Sequence, residues 1–283
     1  MKKIAHMTNE LKDWLTSTLK TGVNPEKIAD AMIKKGFDPI FAYSTLLKLV
    51  TKREVHTINQ PQEPYVYEAP KVVQKGNVIK TSDREIKVLM KIEKPYILFV
   101  ENLLNPEECD ELIKISKPRL TPSEVYDPIT GVKKTVPGRT SSGAYFRLHE
   151  NPLIASIEKR IAEFINIPES HGEDLQVLHY KKGEEYKSHF DYFPQNKLET
   201  AKGGQRVGTI LMYLNDVESG GETIFPKIGL SVTPKKGTAL YFHYGNNKGQ
   251  TDRLSLHRSI PVIAGEKWAA TKWIRQGEIT ARF

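Results

Sequence analysis

Apolar residues recur at three- and four-residue spacing through the first fifty positions, in Leu11, Trp14, Leu15 and Leu19 and again in Ile28, Ala31 and Met32, which predicts amphipathic helices. Asn24-Pro25 and Asp38-Pro39 each set a capping side chain before a proline suited to a first helical turn, and Gly36 suits a helix end, so three short helices are expected. Trp14, Phe37, Phe41 and Tyr43 are expected to form their small core. From 51 to 91 the periodicity breaks up among Pro61, Pro64 and Pro70, the pattern of an extended connector or arm. From 92 to 283 a larger domain follows. Tyr96 to Val100 reads as a strand, Asn105-Pro106-Glu107-Glu108 as a capped helix start, and Ile154, Ile157, Ile161 and Phe164 as the stripe of a second helix. Beyond Leu175, short alternating or apolar runs separated by turn signals predict antiparallel strands: Leu175 to Tyr180, Tyr186 to Asp191, Val207 to Leu214, Thr223 to Phe225, Leu230 to Thr233, Ala239 to His243, Leu254 to Val262 and Trp268 to Ile274. The expected class is α+β, mainly β: a jelly roll braced by helices, with a small amino-terminal helical module.

Composition narrows the chemistry. With 283 residues and 39% hydrophobic content, the chain can bury a large core. A net charge of +8 raises the question of nucleic acid, but the lysines are scattered, and no nucleic-acid partner is expected. No apolar run is long enough to span a bilayer and no signal core opens the chain, so a cytoplasmic location without a membrane partner is expected. Cys109 is the single cysteine, which excludes an intrachain disulfide and a zinc site of several thiolates. It shares a helical face with Leu112, Ile113 and Ser116 and reads as packing. Any metal must therefore use histidine and carboxylate.

His189-Phe190-Asp191 lies in a strand-like segment, so imidazole and carboxylate fall on one face and Phe190 on the other. A third ligand has to come from elsewhere, and His257 stands in a second alternating run. Two histidines and one carboxylate on one face of an octahedron leave three positions open, the arrangement expected of iron(II) oxygenases: two for a 2-oxo acid and one for O2. Lys267 follows ten positions after His257. A lysine beside apolar strands is costly to bury unless an anion meets it, and the distal carboxylate of 2-oxoglutarate is a suitable one.

Three stretches closely resemble the prolyl 4-hydroxylase family in order and spacing: Tyr180 to Asp191, Ser219-Gly220-Gly221-Glu222-Thr223-Ile224-Phe225-Pro226, and His257 to Trp273. The resemblance runs from about Pro95 to Gln276. It implies a double-stranded β-helix, with His189, Asp191 and His257 as ligands of Fe(II), and with Lys267, Tyr180 and Thr223 on the 2-oxoglutarate carboxylate. Trp273 would wall the pocket near the substrate, and Arg139, Ser141, Tyr186 and Arg206 would line a peptide groove. The implied activity is hydroxylation of prolyl residues at the 4-position, of the procollagen-proline type, coupled to decarboxylation of 2-oxoglutarate to succinate and CO2, with ascorbate as reductant. Collagen-modifying members are secretory proteins with disulfides; the single Cys109 sets this chain apart and favours a cytoplasmic proline-containing protein or peptide. Two stretches, Arg119 to Arg139 and Tyr192 to Gln205, read as mobile covers over the site. The amino-terminal module reads as a docking unit for a partner or substrate, and a homodimer is left open. The alternatives are an oxygenase of the same class acting on a lysyl residue, a small metabolite or a nucleobase, and a jelly-roll metal binder acting as sensor or scaffold without turnover.

Overall fold

Three helices build the first of two compact units, which spans 1–64: α1 (Asn9–Lys20), α2 (Pro25–Lys34) and α3 (Pro39–Thr51). The computed structural model describes residues 6–21, 23, 25–51, 64–68, 70–123, 125–126, 133–134, 138–194 and 203–280. Thr8 caps α1, Asp38 accepts from the Phe41 amide at the start of α3, and Gly36 adopts a left-handed φ of +91° where α2 ends. Asn24 lies outside the described residues. The core of this unit is Leu15, Ile28, Ala29, Met32, Ala42 and Leu46, with Phe37 and Phe41 packed against it. Trp14 and Tyr43 are not in that core; they are exposed at 39% and 48%. On α1 the buried stripe is Leu11, Leu15 and Leu19, and Trp14 falls one residue off it.

The second unit spans 65–283 and is dominated by antiparallel strands. Its larger sheet has nine, in the order Val78–Lys80, Glu85–Ile92, Tyr96–Glu101, Ala239–His243, Arg206–Tyr213, Lys267–Arg275, Leu175–Tyr180, Ser142–Phe146 and Thr121–Pro122. The smaller has four: Leu230–Val232, Thr223–Phe225, His257–Ser259 and Tyr186–His189. Ile97, Tyr213, Leu240, Phe242 and Tyr244 of the larger sheet side pack with Phe225 and Val232 of the smaller. Two sheets therefore share one apolar layer, as in a jelly roll.

The other face of the large sheet carries two helices, α4 (Pro106–Ser116) and α5 (Pro152–Ile165). Asn105 and Glu108 form the expected capping box at α4, and Asn151 caps α5. Cys109 and Leu112 of α4, with Ile154, Ile157, Ile161 and Phe164 of α5, bury against Trp268, Ala270 and Ile274 of the sheet. Lys272 joins that face through an ion pair with Glu158 of α5, both side chains about 1% exposed. Removing one partner of such a pair leaves the other charge buried and alone, at a cost of about 3–5 kcal/mol. The strand Lys267–Arg275 thus alternates: Trp268, Ala270, Lys272 and Ile274 meet the helices, while Lys267, Ala269, Thr271 and Trp273 line a pocket between the sheets.

The connector expected over 51–91 is shorter than its sequence implies. Residues from Tyr65 belong to the second unit, and Val78–Lys80 and Glu85–Ile92 are strands of its large sheet, with Ile79 and Ile86 fully buried. Lysines at 87 and 91 alternate with apolar residues because these strands lie at the sheet margin with one face in water. Residues 52–63 lie outside the described residues, as do parts of the two expected covers, at 124, 127–132, 135–137 and 195–202. Among the described residues no helix is long and apolar enough to cross a membrane.

Candidate active site

His189 closes the strand Tyr186–His189, His257 opens His257–Ser259, and the two are direct cross-strand partners. Their rings stand 4.3 Å apart between centroids. The run around His257 is not one long strand: Arg253–Ser255 forms a 3-10 turn, capped by Asp252, that delivers the histidine to the strand start. Asp191 is likewise not a strand residue. The strand ends at His189, and a bend brings the carboxylate round. Ligand atoms of His189, Asp191 and His257 all lie within 4.8 Å of one another.

Hydrogen bonds fix which imidazole nitrogen faces the cluster. His189 Nδ1 lies 2.8 Å from the Lys187 carbonyl and His257 Nδ1 lies 3.0 Å from the Ser255 carbonyl. A carbonyl only accepts, so both Nδ1 atoms carry a proton, and in the neutral tautomer each Nε2 presents its lone pair to the cluster. Those lone pairs stand 3.5 Å and 3.7 Å from the Asp191 carboxylate oxygens. Two lone pairs directed at an anion repel unless a cation lies between them, so the donor set fits a metal ion. Burial pushes the His257 imidazole down to about 4, helped by His189 and opposed by Asp191, so it is neutral over the physiological range. Burial alone would raise the Asp191 carboxyl, but in the metal-free protein the protonated forms of His257 and His189, with the Thr209 hydroxyl, outweigh it and hold it well below the usual range.

The far end of the pocket is built on Lys267, 1% exposed. Its Nζ donates to the Gly221 carbonyl at 2.7 Å and to Ser259 Oγ at 2.8 Å, and no ion pair joins it to a carboxylate among the described residues. Burial lowers its pKa to about 7, with Glu222 opposing. A buried ammonium held by two neutral acceptors fits a third, anionic one. Tyr180 and Thr223 line the same pocket, and the Thr223 hydroxyl accepts from Tyr213 at 2.7 Å.

The residues expected on a peptide groove divide. Arg139, Tyr186 and Trp273 line the pocket; Tyr186 stacks on His189 at 3.6 Å and Arg139 stacks on Tyr186 at 4.8 Å while donating to Gln176 at 3.0 Å. Ser141 does not line it. Its hydroxyl is buried against Ser123 and Tyr180, so it steadies the tyrosine from behind. Arg206 is also engaged: it forms two bonds of 2.6 Å to Glu173, donates to the Asp191 carbonyl at 3.2 Å and packs on Trp273 at 4.1 Å. Partners distant in sequence took both side chains, which spacing could not reveal. Residues missed in the sequence are Ser259, Thr209, Tyr213, Gln176 and Glu173. For Thr209 and Tyr213 a signal existed, since both fall on the same face of their strand as Leu211.

The 2OG-Fe(II) oxygenase superfamily profile matches residues 175–275, the stretch that carries the cluster and Lys267. Fold and site define the class as a 2OG-Fe(II) oxygenase, a 2-oxoglutarate-dependent dioxygenase that uses Fe(II). Probable prolyl 4-hydroxylase 3 of Arabidopsis thaliana is 44% identical over 204 residues, covering 65% of this chain and 71% of that protein. Prolyl 4-hydroxylase 5 of the same plant is 42% identical over 204 residues, covering 65% and 70%. The viral collagen prolyl hydroxylase of Paramecium Bursaria Chlorella virus-1, solved as its 2OG complex, matches with a TM-score of 0.51 at 29% identity, covering 63% of this chain and 95% of that one. The chain belongs to the prolyl 4-hydroxylase family.

Proposed function

We propose that this protein hydroxylates prolyl residues of a peptide or protein at the 4-position, consuming 2-oxoglutarate and O2 and releasing succinate and CO2. One observation carries the reading: a single pocket holds two imidazole lone pairs aimed at one carboxylate and, further in, a buried lysine with no acidic partner among the described residues. His189, Asp191 and His257 would hold Fe(II), with room left in the pocket for 2-oxoglutarate and O2. Lys267, with Tyr180 and Thr223, grips the distal carboxylate and so sets where the keto acid end lies. When bound, the iron supplies the oxygen chemistry that couples decarboxylation to hydroxylation. The carbonyl bonds to Nδ1 keep both histidines turned toward the metal position.

For the substrate, the support is the pocket wall and the relatives. Tyr186, Arg139 and Trp273 offer flat aromatic and guanidinium surface, which suits a polyproline-like segment. The Trp273 indole N–H is buried with no hydrogen-bond partner among the described residues, as expected of a donor that awaits a substrate carbonyl. Ascorbate as reductant rests on family membership alone, and a cytoplasmic protein target rests on the single Cys109. The amino-terminal unit, with Trp14 and Tyr43 exposed, serves as the docking element in this reading. The deciding experiment reconstitutes the protein anaerobically with Fe(II), adds 2-oxoglutarate, ascorbate and O2, and follows proline-rich peptides by mass spectrometry. A gain of one oxygen on proline, matched by succinate, is the expected result. Oxygen gained only on lysyl peptides, free metabolites or alkylated oligonucleotides would replace the substrate, and iron binding without succinate would remove the enzyme.

A further inference from the structure

Asp191 stands two residues beyond the end of its strand, and among the described residues no ladder bond fixes it. Its carboxylate nevertheless has to present one oxygen in a set direction. Two other groups supply the constraint: Arg206 Nη1 donates to the Asp191 main-chain carbonyl at 3.2 Å, and Thr209 Oγ1 donates to Asp191 Oδ2 at 2.7 Å. The same Thr209 oxygen lies 3.0 Å from the Tyr244 hydroxyl, and both residues are buried. A threonine hydroxyl has one hydrogen, and an ionised carboxylate can only accept. That hydrogen is committed to Asp191, so Tyr244 donates to Thr209. The order of donors is therefore Tyr244, Thr209, Asp191. Burial raises the Tyr244 phenol well above its ordinary pKa, which keeps the first proton in place. The main chain of Tyr244 is itself held on both sides, its amide donating to Val207 at 2.8 Å and its carbonyl accepting from Asp252 at 2.7 Å.

We infer that Tyr244 and Thr209 form a positioning relay that aims the Asp191 carboxylate at the metal position by occupying its second oxygen. The inference rests on the proposed role of Asp191 in holding iron. Oδ2 lies 3.7 Å from His257 Nε2 and Oδ1 lies 3.5 Å from His189 Nε2, and without the Thr209 bond the carboxylate is free to rotate out of this arrangement. Outer groups of this kind orient ligands, and losing them typically weakens metal binding about ten- to hundredfold.

The test uses the full chain, stripped of metal and titrated anaerobically with Co(II), whose binding is read optically without any turnover. Thr209→Val keeps the side-chain shape and removes the hydroxyl; affinity is expected to fall about ten- to hundredfold. Thr209→Ser should recover most of the loss, and Tyr244→Phe should show a smaller loss in the same direction. Asp191→Ala serves as the reference. If Thr209→Val binds Co(II) as the parent does while Asp191→Ala loses it, the relay is wrong and the ligand assignment stands. Equal losses in the Val and Ser variants also overturn it, because packing and not the hydroxyl would then matter. If Asp191→Ala itself binds Co(II) normally, the ligand assignment falls. Should Thr209→Val fail to fold, unchanged Co(II) affinity in Tyr244→Phe overturns the relay.

Discussion

The metal end of the pocket stands on the short strands of the four-stranded sheet and a bend beyond them, whereas Lys267 at the opposite end rises from the nine-residue strand Lys267–Arg275 inside the large sheet. The two ends are held by different means. His189 and His257 lie against the rings of Tyr186 and Phe242 and are aimed by hydrogen bonds from Nδ1 to carbonyls two residues earlier in the chain. Lys267 is fixed by burial, with Trp268 beside it anchored in the helix-side core. Local hydrogen bonds set direction, which a metal ligand needs; packing excludes water, which strengthens the hold of an ammonium on a carboxylate.

The sharpest way to break this comparison is to remove a group from each end in turn. Asp191→Ala or His257→Ala should abolish succinate formation and cost metal affinity together, since each removes one of three ligand atoms. Turnover at the parental rate in either variant would disprove the assignment. Lys267→Ala should act differently: metal affinity stays, while the 2-oxoglutarate requirement rises by about 30-fold or more, from the roughly 2–5 kcal/mol that truncating one partner of a buried charged contact costs. Titrating Co(II) and then 2-oxoglutarate into both variants separates the two ends. If Lys267→Ala loses the metal as well, the ends are not independent and the comparison fails.

A smaller effect comes from pH. The folded pKa of Lys267 is depressed to about 7 from 10.5, so above pH 7 the free protein sheds a proton that the unfolded chain keeps. Stability of the metal-free protein from this group should therefore rise as pH climbs from about 7 toward 10.5. Affinity for the 2-oxoglutarate dianion should move the other way. Binding needs the charged lysine, so each pH unit above 7 should weaken it about tenfold and be accompanied by uptake of one proton. Calorimetry in buffers of different ionisation enthalpy measures that uptake, and its absence in Lys267→Ala assigns it. A flat affinity between pH 7 and 9 would contradict the burial argument.

Much of the architecture was legible because local chemistry enforced it. The capping box at Asn105 and Glu108, the stripe from Ile154 to Phe164 and the short, mostly apolar run from Leu175 to Tyr180 each come from neighbours in sequence. What stayed hidden depended on partners far along the chain. Arg206 looks like a free groove residue until Glu173, 33 positions earlier, is seen to hold it. Ser141 looks exposed on its loop until Ser123 and Tyr180 close over it. Glu85–Ile92 reads as connector because its lysines dilute the apolar signal, although Ile86 is fully buried. The histidines and Asp191 were visible as a spacing, but the bend that carries Asp191 past the strand end was not.

Tyr213 offers the finest test of how the two ends differ, because it touches only one of them. Its hydroxyl donates to Thr223 Oγ1 at 2.7 Å, and burial raises its pKa so that the proton stays on the phenol. With one lone pair so occupied, Thr223 has its own hydrogen free to point at an anion in the pocket. Tyr213→Phe removes the donor without emptying the space, and the loss of one buried neutral hydrogen bond is worth about 1 kcal/mol. The 2-oxoglutarate dissociation constant should therefore rise roughly fivefold, with Co(II) affinity unchanged. In the Thr223→Val background the Tyr213→Phe effect should vanish, since the hydroxyl it orients is gone. A full effect in that background would mean that Tyr213 reaches the carboxylate directly, and the order of donors at this end would have to be redrawn.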